Sequence, residues 1–293
     1  MIISFQYRSW PLLAASWLAS AQTTRTGAFM KMPVLFIGHG SPENIILKNS
    51  FTQRLVELGP QLPHPRAILV VSAHWLTDGT YLTCMAHPRT IYDFSGFPDE
   101  LYRIKYPAPG SPQDASLIMQ SVQKPLIKCD NSWGLDHASW AILKHIYPEA
   151  AVPVIEMSLD YSPYNGWNRP SLQYFYDLAK QLSPLRDQGI LIIGSGNIVH
   201  NLRLIDMGDM GAQPYDWAVE FDEKVKRDLL DRNHHDLLDS QNMSRAASLS
   251  VPTLDHYLPM LFAAALQEKS DSLEFIYEGF QNRSISMRCF KIG

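Results

Sequence analysis

Apolar residues along the chain fall into short continuous runs that are separated by longer amphipathic stretches. Runs such as Ala67–Ser72 and Ile190–Gly194 are apolar on both faces, which is typical of parallel strands covered by helices on each side. Between the runs, apolar residues recur every three to four positions, as in helices. The pattern predicts strands at Val34–Ile37, Ala67–Ser72, Tyr81–Met85, Pro153–Ser158, Ile190–Gly194 and Ser284–Phe290, and helices at Ser50–Leu58, Pro112–Lys124, Ser139–Tyr147, Ser171–Leu182, Tyr215–Asp231 and Thr253–Leu266.

This alternation predicts a single α/β domain with a central, largely parallel or mixed sheet and helices on both faces. Ser111 followed by Pro112 predicts a helix start, since serine caps helices and proline suits their first turn. Thr253 is expected to cap the last helix and Pro259 to kink it. The domain is expected to span residues 32–293. Residues 1–31 are expected to be an N-terminal extension, either signal-like or upstream of a start at Met30 or Met32.

Composition excludes several classes of partner. The 293 residues carry 25 Lys and Arg against 29 Asp and Glu, so the formal net charge is −4, and no basic run is present. We therefore expect no nucleic-acid partner. We expect no membrane partner either, because no apolar stretch is long enough to span a bilayer. Cys84, Cys129 and Cys289 lie far apart, which predicts neither a disulfide framework nor a thiolate zinc site and favours a cytoplasmic location.

Four of the ten histidines occupy related positions, and His137 lies in a fifth loop. His39, in "GHGSP", His74, in "SAHW", and His200, in "GSGNIVHN", each follow a predicted strand. His256 lies at the predicted start of the last helix, and His137, in "WGLDHASW", lies just ahead of another helix. The carboxyl ends of parallel strands meet at one edge of a sheet, where ligands bind. We therefore expect the side chains of His39, His74 and His200 to converge although they are far apart in sequence.

Convergent imidazoles predict a metal site, because their nitrogens suit zinc, iron and copper. Gly38 and Gly40, on either side of His39, are expected to let the backbone approach the metal without a Cβ clash. "GSGN" lacks the spacing of a nucleophile elbow and "GHGSP" lacks the Lys–Ser/Thr pair of a phosphate loop, so neither chemistry is expected. The remaining histidines are interpreted as surface or packing residues: His64, His87, His145, His234 and His235.

Six motifs together resemble the DOPA-dioxygenase branch of the class III (LigB-type) extradiol ring-cleavage dioxygenases. They occur in the order "FIGHGSPEN", "VVSAHW", "DFSGFPDELYRIKYPAPGSP", "WGLDHASW", "GSGNIVHNL" and "HYLPML", and the resemblance runs from about Met32 to the C-terminus. It implies a single α/β domain that cleaves a catechol, such as DOPA, with dioxygen. It also implies one divalent metal ion per chain, Fe²⁺ for activity and often Zn²⁺ as isolated.

The same resemblance implies roles for individual histidines. His39, His74 and His200 would be metal ligands, and His256 would be a fourth ligand or a residue next to the substrate. His137 would be the catalytic acid–base. The common facial triad of such enzymes contains two histidines and one carboxylate. Here a histidine takes the third position, which leaves the choice between iron and zinc open.

The motifs also contain a candidate carboxylate and three aromatic residues. Glu43 is the nearest candidate carboxylate within the motifs, and Phe94, Phe97 and Tyr102 are expected either to wall a flat substrate or to pack loops on the sheet.

A tetrapyrrole metal chelatase is an alternative function, because a strand followed by "HGS" also opens small chelatases. A redox-inactive zinc-binding protein of the same fold is a second alternative. The protein is expected to be a monomer or a homodimer.

Overall fold

The computed structural model describes residues 30–161, 171–239 and 244–293. The predicted extension at residues 1–31 lies outside these ranges, except for Met30 and Lys31. The strands are β1 (Val34–Gly38), β2 (Ala67–Thr77), β3 (Tyr81–Thr83), β4 (Lys128–Asp130), β5 (Val154–Asp160), β6 (Ile190–Gly196), β7 (Leu273–Tyr277), β8 (Phe280–Gln281), β9 (Ile285–Ser286) and β10 (Cys289–Ile292). The helices are α1 (Ser50–Leu58), α2 (Pro112–Ser121), α3 (His137–Ile146), α4 (Leu172–Lys180), α5 (Asp216–Leu230), α6 (His234–Asp239), α7 (Arg245–Ser250) and α8 (Leu258–Ala265).

Eight strands form one mixed sheet in the order β4-β3-β5-β2-β6-β1-β10-β7. The central strands β5, β2, β6 and β1 are parallel to one another. β10 and β7 extend the sheet antiparallel beyond β1, and β3 pairs antiparallel with β5. β8 and β9 form a separate two-stranded ribbon. The predicted α/β domain with a largely parallel or mixed sheet is confirmed.

Successive residues of the central strands face opposite sides of the sheet, as the strand period of two requires. Ile68 and Val70 of β2 are buried with the apolar residues of α1 and α3. Leu69 and Val71 are buried on the other side, with those of α2, α4, α5 and α8. Helices therefore cover both faces, which explains why the runs "AILVV" and "ILII" lack polar positions.

Two elements differ from the predictions in ways that affect the histidines. β2 continues to Thr77, past the predicted end at Ser72, so that His74 lies inside a strand at a shift of register against β5. The last helix begins only at Leu258, and Pro259 occupies its first turn, where a proline ring is tolerated. The predicted cap at Thr253 and the kink at Pro259 are therefore wrong. The predicted cap at Ser111 is confirmed, since its side chain accepts from the Asp114 N–H.

The expectation about the cysteines is also wrong. Cys84 and Cys129 form a disulfide across a sequence separation of 45 residues, with their Cα atoms 5.7 Å apart. Cys84 follows β3 and Cys129 lies in β4, and these two short strands pair in parallel at the edge of the sheet. Separation along the chain was a poor guide because strand pairing brings the two residues together. Cys289 is free and buried.

Within residues 30–161, 171–239 and 244–293, no helix is both long enough and apolar enough to cross a membrane.

Candidate metal centre and active site

His39 leaves β1 at the carboxyl edge of the sheet, and its ring is fixed by a serine of the neighbouring strand. His39 Nδ1 lies 3.1 Å from Ser195 Oγ, which donates its own proton to the Ala138 carbonyl at 2.6 Å. Ser195 must therefore accept from Nδ1–H of His39. This tautomer leaves a lone pair on Nε2, the nitrogen that a metal ion would use.

His74 and His137 share one carboxylate. Asp93 Oδ2 lies 3.0 Å from Nδ1 of His74 and 2.7 Å from Nδ1 of His137. Asp93 Oδ1 also accepts from the His137 backbone N–H at 2.8 Å. Both imidazoles therefore donate from Nδ1, and their Nε2 atoms are left as the acceptors. His74 Nε2 lies 3.2 Å from His39 Nε2, so the two nitrogens are close enough for one bound ion to contact both.

His256 completes the group from the segment before α8. Its Nδ1 is hydrogen-bonded to Asp255 Oδ2, whereas its Nε2 is buried and has no hydrogen-bond partner among the described residues. The ring centroid of His256 lies 5.3 Å from that of His39 and 4.9 Å from that of His74. A buried nitrogen without a partner is costly, and a bound metal ion would satisfy it.

The three rings fit a divalent metal. One ligand atom from each of His39, His74 and His256 lies within 4.8 Å of the others. Burial, together with the charge of the neighbouring histidines, lowers the pKa of His39, and burial lowers that of His256 despite Asp255. Neutral imidazole is the form that binds a metal. At His74, burial alone would lower the pKa, but the hydrogen bond to Asp93 together with the charges of Asp136, Asp93 and Asp255 raises it.

His200 occupies a different place from that of the three convergent rings. Its ring stacks on His256 with centroids 3.5 Å apart and planes 7° apart. Its ligand atom groups with those of Asp255 and His256 rather than with those of His39 and His74. The role of His200 as a metal ligand therefore stays a prediction. The predicted proximity of His39, His74 and His200 is observed, and His137 and His256 line the same cavity.

His137 is the first residue of α3, and its ring meets the other histidines side-on. Its centroid lies 4.1 Å from that of His74 and 5.4 Å from that of His39. Burial and the charge of His74 lower the pKa of His137, although Asp93 opposes them. Since Nδ1 is held by Asp93, Nε2 is free to accept a proton. The arrangement is that of a base oriented by a carboxylate.

A cavity of about 340 Å³ opens over the histidines, which is near the small end of the roughly 300–1,000 Å³ usual for ligand sites. Phe94 and Phe97 line it, and the ring of Phe94 meets that of His137 edge-on at 5.5 Å. Tyr102, which was expected beside them, does not line this cavity; it packs against Phe94 at 5.2 Å and accepts from the Phe97 N–H. Tyr102 therefore packs against the residues that line the cavity without lining it itself.

The two glycines beside His39 are closely packed against another part of the chain. A Cβ at Gly38 would lie 2.9 Å from the Arg288 carbonyl oxygen, and Gly40 has φ +63° and would place a Cβ against the Met287 side chain. They make room for the chain that joins β9 to β10. That they also let the backbone approach a metal stays a prediction.

Sequence reasoning missed the acidic partners of the histidines. Asp93 stands at the start of the quoted motif "DFSGFP", and Asp255 directly precedes His256, so both were visible. Glu43, the carboxylate that was singled out, instead interacts with Ser41 at 3.4 Å. It belongs to none of the candidate metal-binding groups among the described residues.

A buried pair of carboxylates lies behind the site. Glu156 of β5 accepts from Trp133 Nε1 at 2.8 Å and from the Asp136 N–H at 3.1 Å, and Ser139 Oγ also donates to it. Asp136 accepts from Ser72 Oγ at 2.6 Å. Burial and the charge of Asp136 raise the pKa of Glu156 well above its ordinary value. The shift favours the protonated form of Glu156 beside Asp136.

Comparison with known proteins gives a consistent family. The sequence profile of the catalytic LigB subunit of aromatic ring-opening dioxygenases matches residues 34–288. A protein of Escherichia coli (strain K12) named 4,5-DOPA dioxygenase extradiol is 40% identical over 268 residues, which cover 90% of this chain and 95% of that protein. A protein of the same name from Mirabilis jalapa is 32% identical, with 84% of this chain and 90% of that protein covered.

A solved structure agrees in fold. The crystal structure of an uncharacterized protein from Escherichia coli K12 superposes with a TM-score of 0.76 at 36% identity, covering 89% of this chain and 100% of that one. The resemblance carried by the six motifs is confirmed. This chain belongs to the LigB family of aromatic ring-opening dioxygenases.

Proposed function

We propose that this protein is a metal-dependent extradiol dioxygenase that opens the ring of a DOPA-like catechol with dioxygen. The observation that carries the proposal is the convergence of His39, His74 and His256 beside the His137–Asp93 pair in one cavity. The names of its relatives support the same reaction class.

The metal would be held by His39, His74 and His256, the residue predicted as a fourth ligand or as a neighbour of the substrate. His200, predicted as one of the first three ligands, would be an additional ligand. A ferrous ion in this place supplies a Lewis acid that lowers the hydroxyl pKa values of a catechol, and electrons for dioxygen. We propose Fe²⁺ for activity and Zn²⁺ as the ion found on isolation. Three imidazole nitrogens suit both ions.

His137 would act as the general base. Its Nε2 accepts a proton from one catechol hydroxyl, and Asp93 stabilises the imidazolium that results. The protonated ring can return the proton later in the reaction. Phe94 and Phe97 would hold the flat ring over the histidines and exclude water. General acid–base catalysis of this kind contributes about 10²–10⁴-fold.

The reaction can be tested by loading the protein with Fe²⁺ without oxygen, adding DOPA or catechol and then admitting air. We expect oxygen uptake together with a yellow ring-opened product. His137→Ala should keep the metal but lose about 10²–10⁴-fold in kcat. His87→Ala, a histidine on the exposed surface, serves as the matched control and should leave kcat unchanged.

The same experiment separates the alternatives. Unchanged ring cleavage in His137→Ala would remove this residue from the mechanism. Insertion of metal into a porphyrin without oxygen uptake would support a chelatase. Metal binding with neither reaction would leave a zinc-binding role.

We also propose that the protein acts in the cytoplasm, as a monomer or a homodimer. The Cys84–Cys129 disulfide counts against this location, because disulfides are rare in reducing compartments. Thiol labelling of the native protein after cell fractionation tests it; a fully oxidised pair outside the cytoplasmic fraction would contradict the proposal.

A further inference from the structure

Two segments run from the Cys84–Cys129 disulfide to the candidate active site. The first arm extends from Cys84 to Asp93, and the second arm extends from Cys129 to His137. The disulfide joins the arms covalently at one end. At the other end they are joined by Asp93, which accepts from the His137 backbone N–H at 2.8 Å and lies 2.7 Å from Nδ1 of the same residue.

Backbone hydrogen bonds connect the two arms between these ends. Next to the disulfide, the Cys84 N–H donates to the Asp130 carbonyl at 2.9 Å. Nearer the active site, the Leu135 N–H donates to the Arg89 carbonyl at 2.9 Å, and the Ile91 N–H donates to the Leu135 carbonyl at 2.7 Å. The arms therefore form one ladder, so a constraint at its outer end is passed along the ladder to the site.

Each arm also has a contact of its own with the rest of the domain. Trp140 Nε1 donates to the Ile91 carbonyl at 2.8 Å, which holds the first arm. Trp133 Nε1 donates to Glu156 at 2.8 Å, which holds the second arm. Because these contacts do not depend on the disulfide, opening it should loosen the ladder without unfolding either arm.

A reductant can reach the disulfide from one side. Cys129 is exposed, whereas Cys84 is buried. A thiolate of a dithiol attacks the sulfur of Cys129, which forms a mixed disulfide and releases Cys84 as a thiolate. The second thiol of the reagent then displaces Cys129. Two electrons and two protons pass from the dithiol to the protein, which gains two thiols, while the reagent becomes a disulfide.

We propose that the Cys84–Cys129 disulfide is a redox-sensitive clamp that positions Asp93 against His137. When the clamp is closed, the arms are fixed at their outer end; when it is reduced, they can separate there, and Asp93 holds His137 less closely. This inference rests on the proposed function in that it takes His137 as the base. Disulfides in reducing compartments are usually transient and catalytic or redox-sensing, so such a clamp is compatible with a cytoplasmic protein.

Hydrogen exchange tests the clamp without catalysis. The protein is reduced with dithiothreitol, freed of the reagent by gel filtration without oxygen, loaded with zinc and compared with the oxidised, zinc-loaded protein. The amide of Ile193, in the central strand β6, reports global unfolding. The amides of Ile91, Leu135 and His137 should gain more exchange on reduction than that of Ile193, because the ladder loosens locally.

The iron-loaded protein shows whether the clamp affects catalysis. Reduction should lower kcat per bound iron about tenfold, the lower end of the cost of losing a partner of this kind, and reoxidation by a small disulfide should restore it. The double variant Cys84→Ser with Cys129→Ser should have the low kcat and should not respond to dithiothreitol. Leu229→Ala removes a buried side chain of α5, outside both arms, and controls for destabilisation; its kcat should be unchanged.

A variant without the carboxylate shows whether the clamp acts through Asp93. Asp93→Ala lacks the contact that the clamp positions, so reduction should cause no further loss of kcat per bound iron in this variant. A general effect of destabilisation would instead lower kcat by the same factor in both proteins, as independent effects add.

Several outcomes would overturn the inference. Free thiols at Cys84 and Cys129 in the air-exposed protein would do so, as would equal losses of kcat on reduction in the unmodified protein and Asp93→Ala. Exchange at the arms that increased no more than at Ile193 would do the same, and this comparison needs no variant. Faster exchange at the arms without any ring cleavage would refute the proposed function alone. Ring cleavage that ignored the reductant would refute this inference alone.

Discussion

Asp93 accepts hydrogen bonds from two imidazoles to which the proposed function gives different tasks. By accepting hydrogen bonds from Nδ1–H of both His74 and His137, it fixes their tautomers and leaves Nε2 of one for the metal and Nε2 of the other for a proton. The hydrogen bonds from His137 and His74 overcome the effect of burial and lower the pKa of Asp93. The carboxylate is therefore ionised throughout the range in which the histidines titrate.

Replacing Asp93 with Asn tests this shared role. An amide oxygen accepts more weakly than a carboxylate and carries no charge to stabilise imidazolium at His137. Loss of such a partner costs about 10–100-fold in metal affinity or activity. We expect Asp93→Asn to lower both the affinity for zinc and kcat, measured by competition with a chelator and by oxygen uptake.

The control for this change lies in the same loop. Asp99 is 91% exposed, and Asp99→Asn should leave the zinc affinity and kcat unchanged. If Asp93→Asn lowered kcat without changing the metal affinity, Asp93 would act on His137 alone. No effect on either quantity would contradict the role of the carboxylate.

The pKa of Glu156, raised by burial and by the charge of Asp136, predicts a pH dependence of stability. Below the ordinary pKa, about 4.5, both the folded and the unfolded states are protonated; above it only the folded state keeps the proton. The free energy of unfolding contributed by this group therefore falls as pH rises, by at most about 1.4 kcal/mol per pH unit, until the raised pKa is passed.

Glu156→Gln keeps a hydrogen-bond donor at this position but removes the carboxyl group that titrates. Urea denaturation between pH 5 and 8 should show the variant gaining in stability relative to the unmodified protein as pH rises. The histidines with lowered pKa values act in the opposite direction, but they are present in both proteins and cancel in the difference. Glu149→Gln, at an exposed position, should show no such trend. A constant difference at Glu156 would mean that this residue is ionised when folded.

At the scale of elements, the apolar runs predicted the four central strands because their signal is local. What they could not predict depends on pairing. β4 and β7 are short edge strands with polar residues, and β2 exceeds its apolar run because its last residues pair with Leu159 and Asp160 of β5. The disulfide also depends on strand pairing, so the apolar runs could not indicate it. Nor could they indicate that the Asp93 carboxylate joins His74 to His137.

The disulfide at the sheet edge is expected to raise the free energy of unfolding. It closes a loop across 45 residues between the end of β3 and β4, and such cross-links contribute about 2–4 kcal/mol by restricting the unfolded chain. Treatment with a reductant should lower the free energy of unfolding by about this amount. The double variant Cys84→Ser with Cys129→Ser should be equally destabilised and should no longer respond to the reductant. If the reductant still destabilised the double variant, its effect would not be due to the Cys84–Cys129 disulfide.

At the scale of the whole molecule, the site joins segments that are remote in sequence. His39 follows β1, His74 lies in β2 and His256 precedes α8, and only the assembled sheet brings them together. Gly196, at the end of β6, has no room for a Cβ beside the His256 carbonyl, which accepts from the Asn197 N–H. The sheet and the metal site are therefore formed together, and the unfolded chain offers no comparable set of ligands.

A metal that binds only the folded state must stabilise it. At a free zinc concentration one hundred times the dissociation constant, the gain is about 2.7 kcal/mol. For a domain of this size that amounts to a rise of roughly 5–10 °C in the unfolding temperature. Thermal denaturation with and without a chelator measures it. His39→Ala should abolish the rise, because one of three convergent nitrogens is lost, whereas His87→Ala should retain it in full. If His39→Ala responded to zinc as the unmodified protein does, the metal would be bound elsewhere, and the convergence of imidazoles at the sheet edge would need another explanation.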